Sequence, residues 1–190
     1  LGNWQTNYVV INVPNGVQDP NIFVDDDNSV YLYEESSNKW PIHGVELDTA
    51  NYYIPKGEQK DLFNLQPEQH GWERFGQDHK SDIKPFIEGP WMVKHNDTYY
   101  LEYGAPGTQW NVYADGVYTS KNPLGPFTYA PYNPISYKPG GFLKGSGHGS
   151  TVQDNNGNYW HYSTMAISVN FKFPIEMKVW GLFILVVLFC

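Results

Sequence analysis

The chain has 190 residues, enough for one domain with a sizeable core, and its 12 Lys and Arg against 20 Asp and Glu give a net charge of −8. That balance argues against a nucleic-acid or anionic-membrane partner, which would need clustered basic side chains to displace counterions, and leaves neutral polymers such as carbohydrates. Aromatic residues make up 17% of the chain, with 18 Gly and 14 Pro, so the composition favours aromatic-rich strands punctuated by tight turns: an all-β protein.

The opening LGNWQTNYVV has no basic start and no long apolar core, so it reads as a cut into a longer protein rather than a signal peptide. The first patterned stretch is DPNIFVDDDNSVYLYEE from Asp19. There Val30 and Leu32 alternate with Tyr31 and Tyr33 across an Asp/Asn turn, which predicts a hairpin of half-buried strands. Asp25, Asp26 and Asp27 suggest calcium, but their place in a hairpin predicts a solvated turn. A long polar connection follows from Ser37 to Phe86, containing HGVELD, HGWERFG and QDHK, and it must be either further strands or a functional loop.

The second patterned stretch is EGPWMVKHNDTYYLEYG from Glu88, and the third is HGSTVQDNNGNYWHYST from His148. The three share one plan: a polar residue, an apolar strand, an Asn/Asp/Gly turn, then an aromatic strand. Asp19 precedes Tyr31, Glu88 precedes Tyr100 and His148 precedes Trp160, each by 12 positions. Units recurring at 69 and 60 residues fit propeller blades with enlarged loops. In a propeller the first strand of each unit is innermost, so Asp19, Glu88 and His148 are expected to converge at one end of the axis. The Pro- and Gly-rich NPLGPFTYAPYNPISYKPGGF reads as strand and turn at an outer blade edge. Three unrelated hairpins in a β-sandwich are the competing reading.

The chain ends in VWGLFILVVLFC, too short for the roughly 20 apolar residues of a membrane-spanning helix. A buried strand is expected, with an anomalous end or a membrane-associated segment as alternatives. Cys190 is the sole cysteine, which excludes an internal disulfide framework and a cysteine metal cluster.

DPNIFVDDDNSVYLY, EGPWMVKHNDTYYLEYGAPGT and GSGHGSTVQDNNGNYWHYST, in that order, resemble the second, third and fourth blades of glycoside hydrolase family 43, with NVYADGVYTSKNPLGPF similar to the third-blade exit. The resemblance covers roughly residues 18 to 170 and implies a five-bladed β-propeller, incomplete in this chain. It treats residues 1–190 as one partial catalytic domain with an atypical apolar segment at 171–190. It further implies an inverting hydrolase that releases arabinofuranosyl, xylosyl or related galactosyl units. Glu88 would be the general acid, Asp19 the carboxylate that tunes and orients it, and His148 the residue beside a water or a structural calcium on the axis. No cofactor is required for the chemistry. The family's base, an Asp of the first blade, is expected to lie before Leu1. A secreted or periplasmic location follows from the same resemblance.

Such chemistry needs a proton donor on the leaving oxygen and a second carboxylate across the bond, about 6.5–9.5 Å away when water attacks directly. A donor working near neutral pH is helped by a nearby like charge or an apolar wall; Asp19 offers the first, Trp91 and Phe86 the second. Sugar sites combine aromatic platforms with groups that read hydroxyls. The candidates are Trp72 and Arg74 in HGWERFG, Trp91 beside the acid, and Tyr113 and Asp115 in NVYADG. Core packing competes for Trp72 and Tyr113, and a salt bridge for Arg74. A non-catalytic carbohydrate-binding propeller is the alternative function.

Overall fold

The computed structural model describes residues 16–141 and 143–167 and the backbone of a strand at 184–189. Asn21–Val24 (β1) and Val30–Glu34 (β2) form the expected hairpin, in register from Asn21 opposite Tyr33 to Val24 opposite Val30. After a two-residue strand at Ser36–Ser37 (β3), Ile42–Asp48 (β4) pairs with β2, and Ile54–Pro55 (β5) and Lys60–Phe63 (β6) pair with β4. The polar connection from Ser37 to Phe86 is therefore mostly more blade. Its remainder holds two 3₁₀ turns, Gly71–Glu73 and Gln77–His79.

Counting blades within this chain, the second is Ile87–His95 (β7), Thr98–Ala105 (β8) and Ala114–Ser120 (β9), with Thr128–Tyr129 (β10) and Ser136–Tyr137 (β11) on the outer edge of β9. That edge is the Pro- and Gly-rich segment, as expected. The third blade is Leu143–Gln153 (β12), Tyr159–Ile167 (β13) and Ile184–Phe189 (β14), all antiparallel. The apolar tail thus supplies a strand; its side-chain burial and residues 168–183 lie outside the described residues. Among the described residues no helix is long and apolar enough to cross a membrane.

The turns follow from residue type. Asn96 (φ 48°) and Asp97 (φ 56°) both adopt left-handed backbone between β7 and β8, as a two-residue hairpin loop requires. Between β12 and β13, Asp154 Oδ1 accepts from the Asn156 and Asn158 amides while Gly157 takes φ 86°.

β2 departs from the half-buried expectation: all five residues are buried. Tyr31 and Tyr33 pack with Ile42, Ile87, Met92, Tyr99, Leu101 and Tyr103 between the first and second blades, and Val30 and Leu32 pack with Val45 and Leu47 on the other face. Both faces of β2 are buried, so period-2 alternation here separates aromatic from aliphatic, not wet from dry.

The acidic turn also differs from the solvated expectation. Asp25 is buried, 2.5 Å from Lys94 Nζ and accepting from the Tyr99 hydroxyl at 2.5 Å. Only Asp26, 2.8 Å from the same ammonium, is largely exposed with Asp27. Burial raises the Asp25 carboxyl, but the Lys94, Tyr99 and Asp26 amide donors outweigh it and hold it below its ordinary value. The turn is a polar clamp from the first blade onto the second.

Candidate active site

The inner strand β7 lies beside both β1 and β12, and Asp19 ahead of β1, Glu88 at the start of β7 and His148 within β12 come to one end. Asp19 just ahead of β1 (φ 48°), Gly89 near the start of β7 (φ 58°) and His148 in the middle of β12 (φ 53°) each adopt left-handed backbone. For Asp19 and His148 this is strained backbone, which persists where surroundings over-determine it and is concentrated at functional sites. The pairing of β7 with β8 slips between Glu88 and Trp91, and that of β12 with β13 slips on both sides of Gly147. Such bulges re-aim side chains at the rim of a sheet.

His148 Nδ1 lies 3.9 Å from Asp19 Oδ2, and the ring stands over Gly89, where an added Cβ would come within 3.0 Å of its Cγ. Both Asp19 and His148 remain partly open to solvent. Glu88 is buried. Its Oε1 accepts from the Tyr113 hydroxyl and its Oε2 from Ser36 Oγ at 3.1 Å. Burial first, and the Glu88 carboxylate second, push the Tyr113 phenol well above its ordinary value, so the proton stays on Tyr113 and the tyrosine is the donor.

The sequence GSGHGS is explained by what lies over it. A Cβ at Gly147 would come within 2.6 Å of the Tyr113 ring, and one at Gly149 within 2.5 Å of His161 Cε1 and closer still to Asp115 Oδ2. Glycine lets β12 pass beneath both groups and lifts His148 out between them.

The other predicted contacts divide. Tyr113 is at the site, but as the hydroxyl that holds Glu88. Asp115 sits beside it fully buried, accepting from the Gly149 amide at 3.0 Å, Ser163 Oγ at 2.8 Å and, across 3.0 Å, facing His161 Nε2. Its oxygens are thus engaged by the protein. Trp91 spans two blades, its indole donating to the Thr151 carbonyl at 2.7 Å. Trp72 lies against Gly116 and Tyr103 and donates to the Tyr129 hydroxyl at 2.8 Å, and Arg74 pairs on the surface with Glu68 at 3.0 Å. In HGWERFG, Trp72 is thus engaged in packing and Arg74 in surface pairing.

Sequence reasoning missed Ser36, which only the pairing of β3 with the start of β7 brings to Glu88. It also missed the buried chain behind Asp115. His161 Nδ1 is 2.9 Å from Thr151 Oγ1 and 3.6 Å from Glu102 Oε2. Burial pulls the His161 imidazole down, but Asp115 and Glu102 outweigh it and raise it, while burial pushes Glu102 up to about 7. The closely spaced glycines at 145, 147 and 149 were the available signal, since each marks a close approach.

Around His148 the described residues offer a ring nitrogen and one carboxylate. Calcium takes six to eight oxygens, so these side chains do not by themselves fit that ion.

The family model described as glycosyl hydrolases family 43 matches residues 1–173. The chain belongs to glycosyl hydrolase family 43. A β-D-galactofuranosidase of Aspergillus niger is 31% identical over 114 residues, 60% of this chain and 27% of that protein. Among solved structures, a thermostable family-43 glycoside hydrolase superposes with a TM-score of 0.63 at 24% identity over 78% of this chain and 48% of the other. A xylan β-1,4-xylosidase from Bacillus halodurans C-125 gives 0.61 at 24% over 82% and 28%. These likenesses establish the family-43 propeller fold, and the chain spans between about a quarter and a half of the length of the relatives it matches.

Proposed function

We infer that the protein containing this chain is a glycosidase in which Glu88 is the general acid. The observation that carries this is the seating of Glu88: a buried carboxylate held at both oxygens by hydroxyls from different strands, at the end where Asp19 and His148 also converge. A group positioned to give a proton to a glycosidic oxygen must be fixed to within a fraction of an ångström. Asp19 contributes negative charge at the mouth. Asp115 accepts from protein donors at both oxygens; following the family resemblance, the base that activates water is taken to be an aspartate of another blade, and the reaction to invert at the anomeric carbon. The substrates are arabinofuranosyl, xylosyl or galactosyl units of plant or microbial polysaccharide, and a secreted or periplasmic site of action suits a polymer of that kind.

The test compares wild-type and Glu88→Gln versions of the full-length protein on nitrophenyl glycosides and on oligosaccharides of the same sugar. Proton donation contributes about 10²–10⁴-fold and matters most for a poor leaving group. The variant should therefore lose about that factor on oligosaccharides and much less on the nitrophenyl compound. Equal activity of wild type and variant on oligosaccharides would remove Glu88 from the role.

A further inference from the structure

The residues just before Ser36 form a second polar cluster that the glycosidase reading does not use. Glu34 ends β2, Glu35 follows it, and His43 faces both from β4; all three side chains are at least nine-tenths buried. His43 Nδ1 lies 3.5 Å from Glu34 Oε1 and 3.3 Å from Glu35 Oε2, and makes no hydrogen bond. One such atom from each of the three residues lies within 4.8 Å of the others.

The outward atoms are all occupied. His43 Nε2 is 3.1 Å from Asp61 Oδ1 on β6. Glu34 Oε2 accepts from the Gln18 amide at 3.3 Å and Glu35 Oε1 from the Ser36 amide at 3.0 Å; of the inward-facing atoms, Glu34 Oε1 also accepts from the Gln59 side chain. With the Nε2 proton given to Asp61, Nδ1 presents a lone pair toward two buried carboxylate oxygens. Two carboxylate oxygens and a ring nitrogen then face one another in a dry place, with the Gln59 amide as donor to one of them, which is costly unless a positive charge lies between them.

The geometry points to a divalent transition-metal site of the Zn²⁺ class, with Glu34 Oε1, Glu35 Oε2 and His43 Nδ1 as protein ligands and water completing the shell. Tetrahedral Zn²⁺ with bonds of about 2.0–2.1 Å sets its ligand atoms about 3.3–3.4 Å apart; the spacings from His43 Nδ1, 3.3 and 3.5 Å, lie close to this, and all three atoms lie within 4.8 Å of one another. The outer partners have the pattern of a metal centre, in which the imidazole gives its far N–H to a carboxylate that orients it. An imidazole with two carboxylates suits Zn²⁺ better than the all-oxygen shells of calcium or magnesium. The ion would tie β2, β4 and the turn carrying Ser36 together.

The experiment strips the full chain with chelator and titrates it with ZnCl₂ by calorimetry, with Co²⁺ as a visible-absorbing substitute. One equivalent should bind, and at a hundredfold excess over the dissociation constant the unfolding midpoint should rise by about 5–10 °C. His43→Gln and Glu35→Gln should lose that equivalent while His79→Gln keeps it. Should either variant not fold, the ¹⁵N shift of His43 Nδ1 in the wild-type chain must move to the metal-bound range on adding Zn²⁺. No uptake by the folded chain, unchanged stoichiometry in both folded variants, or His43 protonated on both nitrogens under excess Zn²⁺ would each overturn the site in favour of a buried ion triad.

Discussion

Replacing Tyr113 by Phe tests the seating of Glu88 most directly. The ring would stay where it is, packed over Gly147 and against Gly104, so no cavity larger than a hydroxyl opens. What is lost is the donor to Glu88 Oε1, leaving that oxygen buried with Ser36 bonded only to its neighbour. A hydrogen bond to a charged group is worth about 1.5–3 kcal/mol. In a chain of this length each kcal/mol moves the unfolding midpoint by about 2–4 °C, so the drop should be about 3–12 °C. The measurement is calorimetric unfolding of wild type, Tyr113→Phe, Glu88→Ala and the double variant at neutral pH. The cycle should show a coupling of at least about 1 kcal/mol between the two positions. Single-variant losses that simply add, within about 0.5 kcal/mol, would refute the claim that Tyr113 holds Glu88.

Further expectations rest on neighbouring features. Gly149→Ala should destabilise by about 1–3 kcal/mol or more, because its Cβ would collide with Asp115 and His161, whereas Gly140→Ala, with open space around it, should be near neutral by urea titration. Glu102 should make the fold less stable as pH rises: its folded value of about 7 exceeds its ordinary 4.5, so its contribution is present below about 4.5 and is lost through about 7. That loss is on the order of 3 kcal/mol, and Glu102→Gln should flatten the stability profile between pH 5 and 8. Glu73, pushed by burial up to about 7 as well, acts in the same window, so the difference between variant and wild type is the quantity to read. Asp25→Asn should lower the unfolding midpoint more than Asp26→Asn, since Asp25 also holds Tyr99; its contribution is present above its unfolded value and is lost as pH falls through the depressed folded one.

The repeat offset made the blades legible, because an inner strand, a tight turn and an aromatic second strand obey local rules of residue type. The same offset aligned Asp19, Glu88 and His148, and the structure brings Asp19 and His148 within 3.9 Å of each other with the ring over Gly89. What escaped the sequence was set by pairing between blades. Ser36 meets Glu88 only because β3 crosses to β7, and Asp25 is dry only because Lys94 and Tyr99 of the next blade cover it. In HGWERFG an aromatic and a charge stand side by side in the sequence, whereas in the fold Trp72 packs against Tyr103 and Arg74 pairs at the surface with Glu68.

Glu88 belongs to the second blade, yet one of its oxygens is held by Ser36 at the exit of the first and the other by Tyr113, whose ring rests on the third through Gly147. Its orientation is therefore the sum of three blade positions. A small slip of one blade against the next would cost little packing energy but would release one hydroxyl from the carboxylate. Substitutions along the seams, far from any sugar, should accordingly reach the chemistry through the angle of this single side chain before they reach the melting temperature.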